Sequence, residues 1–223
     1  MKIIENGKVL IETERLIIRE MVQSDYEALC RILCDEDVMR ATYESAFSHE
    51  EAQSWLNRHL KRYAEYGFGL WAVVLKEANV MIGQCGLTIQ GWREREVLEI
   101  GYLFQKAYWH KGYATEAAIA CREYAFSVLN ASSVYSIVRD TNIASQNVAV
   151  RNGMKIIDKD TKNFRSVDME FFLYSVERAS IAIDDVLDVK VVKPFRHETL
   201  EERAAEFNGK LNLDGEYDWG ESV

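Results

Sequence analysis

The stretch of sequence that decides the fold is Gln105-Lys-Ala-Tyr-Trp-His-Lys-Gly-Tyr-Ala-Thr-Glu-Ala117. It follows the apolar run 97–104 and opens a long segment with apolar residues at helical spacing, so we expect a strand, a loop and a helix. Backbone N–H groups at the start of a helix form a cradle for an anion. Gly112 lacks the Cβ that would block close approach, and Thr115 adds a hydroxyl group in the first turn. A pyrophosphate fits such a cradle, although an ordinary strand-to-helix turn has the same local pattern.

Two other segments of the sequence, taken with this one, favour the anion cradle over an ordinary turn. The run Glu99-Ile-Gly-Tyr102 followed by residues 108–117 resembles the acetyl-CoA loop of the GNAT superfamily of N-acyltransferases. Further on, Asn142-Ile-Ala-Ser-Gln-Asn-Val-Ala-Val-Arg-Asn-Gly-Met154 resembles the second cofactor segment of that family. The opening Ile11-Glu-Thr-Glu-Arg-Leu-Ile-Ile-Arg19 is similar to the start of the branch containing the ribosomal-protein N-terminal acetyltransferases. The three matches stand in the family's order.

The composition suits one well-cored domain with room for an appendage. The chain has 223 residues, of which 48% are hydrophobic and 28% charged. No apolar run approaches the ~20 residues of a membrane-spanning helix, and residues 1–7 lack the apolar core of a signal peptide. We therefore expect a cytoplasmic protein with no membrane partner. Because the net charge is −9, nucleic acid is not an expected partner either.

Cysteines and histidines give no metal signature by their spacing. The cysteines are Cys30, Cys34, Cys85 and Cys121, and the histidines are His49, His59, His110 and His197. Cys30 and Cys34 would share one helix face, which is typical of small, reduced core residues. The histidines are scattered too widely along the chain to propose a metal site. We therefore predict no metal.

Hydrophobic periodicity and turn residues predict alternating strands and helices. The predicted strands are 15–20, 70–76, 80–90, 97–104, 134–138, 155–158 and 168–176, and the predicted helices are 24–34, 48–66, 112–129 and 142–152. Ser24 and Ser48 are the expected caps of the first two helices, with Glu51 completing a capping box. Residues 35–47 between them are expected to be irregular. The fold class is mixed α+β, with a central twisted, mainly antiparallel sheet and helices on both faces. The family resemblance adds a parallel pair of strands that splay apart at the cofactor site.

The sequence divides into a GNAT-like domain, residues 1–176, and an acidic C-terminal extension, residues 177–223. Asp and Glu outnumber Lys and Arg by 12 to 6 in the extension, and its end is expected to be ordered only when bound. Residues 196–221 resemble the toxin-binding tail of swapped-hairpin addiction-module antitoxins, with Tyr217 and Trp219 as anchors. A toxin-like partner, docking on the same chain, a homodimer contact and a fusion remnant all remain open.

The resemblance implies the catalytic roles. Glu99 would act as the base that removes a proton from the attacking amine, although a paired structural carboxylate is the alternative. A backbone N–H at Leu103 or Phe104 would stabilise the oxyanion. Ala149 stands where many family members place a tyrosine that protonates the leaving thiolate. Tyr102, Tyr113 and Ser145 are unranked substitutes for that acid.

The resemblance also implies which residues bind acetyl-CoA as co-substrate. Lys111, Gly112, Tyr113, Ala114 and Thr115 would hold the pyrophosphate, flanked by Trp109 and His110, with Phe104 in the adjoining strand. Asn142 would hydrogen-bond the pantetheine arm, and Ser145 would reach the same part of the cofactor. Since many relatives carry Arg or Gln in place of Trp109, packing is an alternative role for this tryptophan.

The acceptor would lie between the loops 35–47 and 91–96. The carboxylates of the first loop are candidate amine contacts, unless the loop is simply solvated; they are Asp35, Glu36, Asp37 and Glu44. The favoured function is acetyl transfer from acetyl-CoA to a protein N-terminus or a small-molecule amine, by direct attack in a ternary complex. The alternative is a catalytically weak binding module whose tail engages a toxin-like protein. A toxin that acetylates aminoacyl-tRNA is disfavoured because a net charge of −9 repels RNA.

Overall fold

The computed structural model describes residues 7–43, 45–164, 167–178 and 190–191. The strands are β1 (Val9–Glu12), β2 (Leu16–Arg19), β3 (Leu70–Leu75), β4 (Val80–Trp92), β5 (Arg95–Phe104), β6 (Ser133–Arg139), β7 (Lys155–Phe164), β8 (Val167–Glu177) and β9 (Lys190–Val191). The helices are α1 (Tyr26–Leu33), α2 (Glu36–Tyr43), α3 (His49–Tyr66), α4 (Tyr113–Ser127) and α5 (Ile143–Arg151). Within these described ranges, no helix is long and apolar enough to cross a membrane.

The strands form one sheet in the order β7-β8-β6-β5-β4-β3-β2-β1-β9. Neighbouring strands run antiparallel from β9 to β5 and from β6 to β7. The pair β5–β6 is parallel. This arrangement confirms the predicted fold class, a mixed α+β fold with a mainly antiparallel sheet.

Strand β3 shows how the sheet is covered on both faces. All six of its residues are buried, and successive side chains of a strand point to opposite faces. Trp71 and Val73 belong to the core that includes Ala118 of α4. Ala72 lies in the other core, which includes Leu29 of α1 and Leu56 of α3. The two helical layers therefore sandwich the sheet, as the sequence predicted.

The segment 35–47 is where the sequence prediction is wrong. Asp35 Oδ1 accepts the N–H groups of Asp37 at 2.8 Å and Val38 at 3.2 Å, which is a side-chain cap for helix α2. Val38, Met39 and Tyr43 then bury one face of that helix. With acidic residues on the other face and only eight residues of length, the pattern was too short to be recognised as a helix.

The two predicted helix caps have different outcomes. Ser48 accepts the Glu51 N–H at 3.1 Å, and the Glu51 carboxylate accepts the Ser48 N–H at 2.6 Å, so the capping box is confirmed. Ser24 lies inside a short 3-10 turn and caps nothing. Asp25 stands at the N-cap position of α1 but makes no side-chain capping bond to it. Its carboxylate instead accepts the Val22 N–H at 2.8 Å, which closes the turn before the helix, and pairs with Arg19 at 2.7 Å.

The C-terminal extension adds one short strand to the sheet. Lys190 and Val191 pair with Glu12 and Ile11, so β9 lies on the outer edge of β1. The sequence did not predict β1 itself, which is four residues long. The antitoxin-like segment 196–221 lies outside the described residues.

Candidate functional site

The parallel strands β5 and β6 separate after one paired position, Glu99 with Tyr135, in the part of the chain that the structure describes. After this position, two side chains make hydrogen bonds in place of the backbone hydrogen bonds of a continuous strand pair. The Ser136 hydroxyl donates to the Ile100 carbonyl at 2.9 Å, and the Ile137 N–H donates to the Glu99 carboxylate at 3.3 Å. Beyond this point a gap opens between the strands, and both side chains stand at its closed end.

The backbone N–H groups of the two predicted oxyanion donors, Leu103 and Phe104, point in opposite directions. Gln105 donates its N–H to the Ile82 carbonyl at 2.9 Å, and bonding in an antiparallel pair alternates from residue to residue. Leu103 therefore directs its N–H towards β4, whereas Tyr102 and Phe104 direct theirs towards the gap. The N–H of Leu103, one of the two candidates, is thus directed away from the gap.

A cavity of about 710 Å³ adjoins the gap. Its walls come from the α2–α3 segment, from β4 and β5, and from β6 with the start of α5. The lining includes five of the residues singled out from the sequence, which are Glu99, Tyr102, Leu103, Asn142 and Ser145. The structure thus brings together residues that lie up to 46 positions apart in the chain.

Glu99 is the carboxylate at the closed end of the gap. It is 9% exposed, and its second oxygen accepts the Thr88 hydroxyl at 3.3 Å. Burial raises the pKa of Glu99, while the Ile137 N–H, Lys162 and the Thr88 hydroxyl oppose that rise. A raised pKa makes this carboxylate a stronger base than an exposed glutamate.

The loop before α4 has the geometry expected of an anion cradle. Gly112 stands at the N-cap with φ of 82°, a left-handed conformation that favours glycine. The first helical hydrogen bond runs from the Glu116 N–H to the Gly112 carbonyl at 3.0 Å. The N–H groups of residues 113–115 therefore have no partner within the helix and point out of its end.

Arg15 fixes this loop from the other side. Its guanidinium donates to the Lys111 carbonyl at 2.9 Å, forms an ion pair with Glu116 at 2.6 Å and lies 4.6 Å from the centroid of the Tyr113 ring. Arg15 stands in the segment 11–19 that resembles the start of a branch of the family, but no role was predicted for it. Its place in that segment was the only signal in the sequence, because the contacts join the residue just before β2 to a loop 96 residues further on.

Trp109 and His110 flank the cradle in different ways. The Trp109 indole donates to the Phe104 carbonyl at 2.8 Å, and its ring packs against both hydrophobic cores. This contact corresponds to the packing role considered for Trp109. His110 is exposed and has φ of 59°, so it forms part of the sharp turn into Gly112. Lys111 is also exposed, with Nζ 5.4 Å from the centroid of the Tyr108 ring.

Asn142 and Tyr102 hold α5 at the edge of the gap. Asn142 caps α5, with Oδ1 accepting the Ser145 N–H at 3.1 Å, and its amide donates to the Thr42 hydroxyl at 3.4 Å. The Tyr102 hydroxyl donates to the Ser145 carbonyl at 2.9 Å, and burial raises the pKa of Tyr102. Tyr102 therefore spans the gap from β5 to α5 in its protonated form.

The acidic residues of 35–43 do not line the cavity. Asp35 caps α2, Asp37 pairs with Lys106 at 2.5 Å, and Glu36 pairs with Arg40 at 3.7 Å. Glu44 lies outside the described residues. The segment instead contributes Thr42, Tyr43 and Phe47, and the carboxylates in the lining are Glu50, Glu51 and Glu99. The second predicted acceptor loop, 91–96, does not reach the cavity.

His59 is a cavity residue that the sequence analysis missed. It is 1% exposed, and Nδ1 accepts the Leu70 N–H at 3.3 Å, which leaves the proton on Nε2. Burial, followed by the charges of Arg62 and Arg58, lowers the pKa of His59 well below its usual value. The imidazole is therefore neutral. Its place one turn after Trp55 on α3 was the only signal in the sequence.

A sheet that opens between two parallel strands, a glycine-capped helix that follows the first of them and a cavity with a buried carboxylate are together typical of an acyltransferase. The comparison with known families agrees. Residues 15–155 match the family model described as acetyltransferase (GNAT) domain, and the chain belongs to this family.

Similar proteins place the chain among acetyltransferases. It is 32% identical to the uncharacterized N-acetyltransferase YnaD of Bacillus subtilis over 65% of this chain and 82% of that protein. The acetyltransferase (GNAT family) from Bacillus anthracis superposes with a TM-score of 0.66 and 25% identity, covering 77% of this chain and 99% of that one. Spermidine N-acetyltransferase from Vibrio cholerae, solved with CoA and spermine, shares the fold at a TM-score of 0.61 and 16% identity, over 75% of this chain and 98% of that one.

Proposed function

We propose that this protein transfers an acetyl group from acetyl-CoA to a primary amine by direct attack in a ternary complex. The observation that carries the proposal is the gap between β5 and β6. A buried carboxylate, Glu99, stands at its closed end, and a backbone N–H, that of Phe104, faces it from β5. Acetyl transfer to an amine needs both groups, a proton acceptor and an oxyanion donor.

The residues of the loop fit a pyrophosphate. The N–H groups of Tyr113, Ala114 and Thr115 point out of the start of α4, where the helix dipole also favours an anion. Gly112 leaves the approach open, because its Cα carries no Cβ and its φ is positive. Lys111 adds an exposed cation beside them. We propose that these residues hold the pyrophosphate of acetyl-CoA, with Asn142 and Ser145 beside the pantetheine arm.

The acceptor must reach the gap as a neutral amine. An alkylammonium has a pKa near ~10, so most of it is protonated at neutral pH. We propose that Glu99 takes the proton, directly or through one water molecule, as the C–N bond forms. The Phe104 N–H stabilises the negative oxygen of the tetrahedral intermediate, an interaction of about 3 kcal/mol in known oxyanion holes.

The leaving group departs as CoA thiolate when the C–S bond breaks. Ala149 is buried and cannot donate a proton, and the Tyr102 hydroxyl already donates to the Ser145 carbonyl. A thiol with a pKa of ~8.5 is a stable enough anion to leave without an acid and then take a proton from water. The mechanism therefore needs no tyrosine at position 149.

We propose that the acetyl acceptor is a primary amine, either of a small molecule or of a protein N-terminus. The cavity lining holds three carboxylates, those of Glu50, Glu51 and Glu99, and three guanidinium groups, those of Arg58, Arg62 and Arg139, so it can contact both charged and neutral parts of an amine substrate. One structural neighbour is a spermidine N-acetyltransferase, and spermidine is a small-molecule amine. The division into an enzyme domain, residues 1–176, and an antitoxin-like tail remains a further hypothesis.

Calorimetric titration of the full chain with acetyl-CoA tests the donor. An amine panel then tests the acceptor, using spermidine, free amino acids and short peptides with free N-termini. We expect acetyl-CoA to bind, and at least one amine to be turned over with a KM between ~1 μM and ~1 mM. Absence of acetyl-CoA binding would contradict the proposed function, and binding without turnover of any amine would contradict the acceptor class.

A further inference from the structure

Three soft ligand atoms meet on the outer side of the helical layer that carries α1 and α3. Cys30 lies in α1, Cys34 directly follows it, and His49 is the first residue of α3. Their sulfur and nitrogen atoms all lie within 4.8 Å of one another. The cluster has no signature in the sequence, because His49 lies fifteen positions after Cys34 and is brought to it only by the fold.

The sulfur–nitrogen distance between Cys30 and His49 matches the distance between two ligands of one tetrahedral ion. Zinc lies about 2.3 Å from a cysteine sulfur and about 2.0–2.1 Å from a histidine nitrogen, which places the two ligand atoms roughly 3.5 Å apart. Cys30 Sγ and His49 Nδ1 are 3.6 Å apart. Two thiolates and an imidazole are also the donor set that borderline-soft cations such as zinc prefer.

We propose that Cys30, Cys34 and His49 bind one zinc-type divalent cation. A water molecule completes the tetrahedron, since three protein ligands leave one position open. The cation can enter from solvent, because both cysteines are half-buried and His49 is exposed. Binding displaces the thiol protons, as it does at every cysteine metal site.

The surroundings of His49 hold its ring at the cluster. The Tyr26 hydroxyl donates to the His49 backbone carbonyl at 3.0 Å and lies 3.4 Å from Nδ1. Cys34 Sγ is 3.9 Å from the Ser48 carbonyl. These contacts join the end of α1 to the start of α3 before any ion binds, so the ligands need little rearrangement.

The cation would hold in place the segment 35–48, which forms one wall of the cavity. It closes the segment 35–48 into a loop, and this segment supplies Thr42, Tyr43, Phe47 and Ser48 to the lining. Closing a loop removes conformational freedom that the segment would otherwise have. None of the three ligands lines the cavity, so the ion would not touch the reacting atoms, and its occupancy should instead govern the order of the acceptor wall.

The chain provides a matched control in its other pair of thiols. Cys85 and Cys121 lie 3.5 Å apart in the core, both fully buried, and belong to no cluster with histidine among the described residues. Cys121→Ala thus removes a thiol without touching the proposed site. The double variant Cys30→Ser/Cys34→Ser removes both sulfur ligands, and His49→Gln removes the imidazole while leaving the thiols intact.

The test measures metal content and cobalt binding of the full chain under reducing conditions. We expect about one zinc ion per chain for the wild type and Cys121→Ala, and about none for the double variant. Cobalt added to the metal-free wild type should give a thiolate charge-transfer band that the double variant lacks. We expect His49→Gln to bind cobalt at least ~10-fold more weakly, which corresponds to about 1.4 kcal/mol. Circular dichroism checks that each variant is folded.

Hydrogen exchange supplies a second readout that does not need the acetyl-transfer reaction. Zinc should slow exchange in residues 35–48 of the wild type and leave the double variant unchanged. Binding weaker than the ~μM range, or equal binding by the wild type and the double variant, overturns the proposal. Hydrogen-bonded thiols without a metal would give the first of these results. Because neither readout involves acetyl-CoA, the metal site and the proposed function fail or stand separately.

Discussion

At the scale of single residues, Glu99 combines a structural and a chemical role. One oxygen accepts the Ile137 N–H and so replaces a bond of the strand ladder, and the other accepts the Thr88 hydroxyl. The same carboxylate lines the cavity where the amine would bind. A substitution that keeps the hydrogen bonds but removes the charge separates the two roles, because only the chemical role needs a base.

We expect Glu99→Gln to lower kcat/KM by about 10²-fold or more, while the affinity for acetyl-CoA stays nearly the same. Since burial raises the pKa of Glu99, wild-type activity should fall as the pH drops through that pKa and the base becomes protonated. The amine also titrates, so log kcat/KM should rise with a slope of about 2 below the pKa of Glu99 in the wild type and about 1 in the variant.

The control for this prediction is Glu96→Gln. Glu96 lies on the same strand but outside the cavity, and burial also raises its pKa. We expect wild-type kinetics from it. Equal activity of Glu99→Gln and wild type would remove Glu99 from the mechanism and leave it as a structural carboxylate of the gap.

Arg15 should control donor affinity without touching the reaction. Removing its side chain in Arg15→Ala leaves the Lys111 carbonyl and the Glu116 carboxylate without a cation, so the cradle loop is held less firmly. We expect acetyl-CoA to bind about 10-fold more weakly, or about 1.4 kcal/mol, with kcat nearly unchanged. Arg31→Ala, at an exposed position of α1, is the control. Unaltered affinity in the Arg15 variant would show that the loop holds its shape alone.

At the scale of structural elements, the glycine before α4 can be compared with a second glycine of the same backbone conformation, which follows α5. Gly112 and Gly153 have φ of 82° and 81°, and an added Cβ would come within 3.4 Å of a guanidinium nitrogen in both places. Each Gly→Ala substitution should cost about 1–2 kcal/mol of stability through left-handed strain. Only Gly112 lies at the proposed pyrophosphate cradle.

We therefore expect both alanine variants to lower Tm by similar amounts, and only Gly112→Ala to weaken acetyl-CoA binding. Thermal unfolding and calorimetry of the two variants side by side check this. If Gly153→Ala weakened binding equally, the loss would come from general destabilisation, and the cradle would lose its support.

At the scale of the whole molecule, residues at and just after the end of β8 make contacts that hold this strand in the sheet. Val176 is 4% exposed, and Arg178 donates its N–H to the Ser132 carbonyl at 2.9 Å and its side chain to Asn130 at 3.0 Å. The contacts of Arg178 join the end of β8 to the turn between α4 and β6. A chain shortened to end at Ser175 loses all of them.

We expect the chain ending at Ser175 to be less stable than one ending at Arg178 by about 2 kcal/mol or more, since burying one valine contributes about 1.5–3 kcal/mol. Urea unfolding of both chains measures the difference in the free energy of unfolding. Acetyl-CoA affinity should be the same in both, because residues 176–178 do not line the cavity and β8 lies on the other side of β6 from the gap. Equal stability of the two chains would mean that these last contacts contribute nothing.

The sequence by itself determined the elements whose signals are local. The capping box of Ser48 and Glu51 and the turn at Gly112 depend on residues a few positions apart, so their patterns can be read directly. Helix α2 was not predicted, because its eight residues carry too little periodic signal. Fold class followed from the order of elements and from the family resemblance.

The tertiary structure alone decided which distant residues meet. The strand order places β6 beside β5, which brings Ser136 and Ile137 to Glu99 and opens the gap. The pairing register turns the Phe104 N–H to the gap, and the packing of α1 on α3 brings His49 to the two cysteines. Local sequence cannot encode these contacts by any fixed spacing, because each depends on the free energy of packing elements that are far apart in the chain.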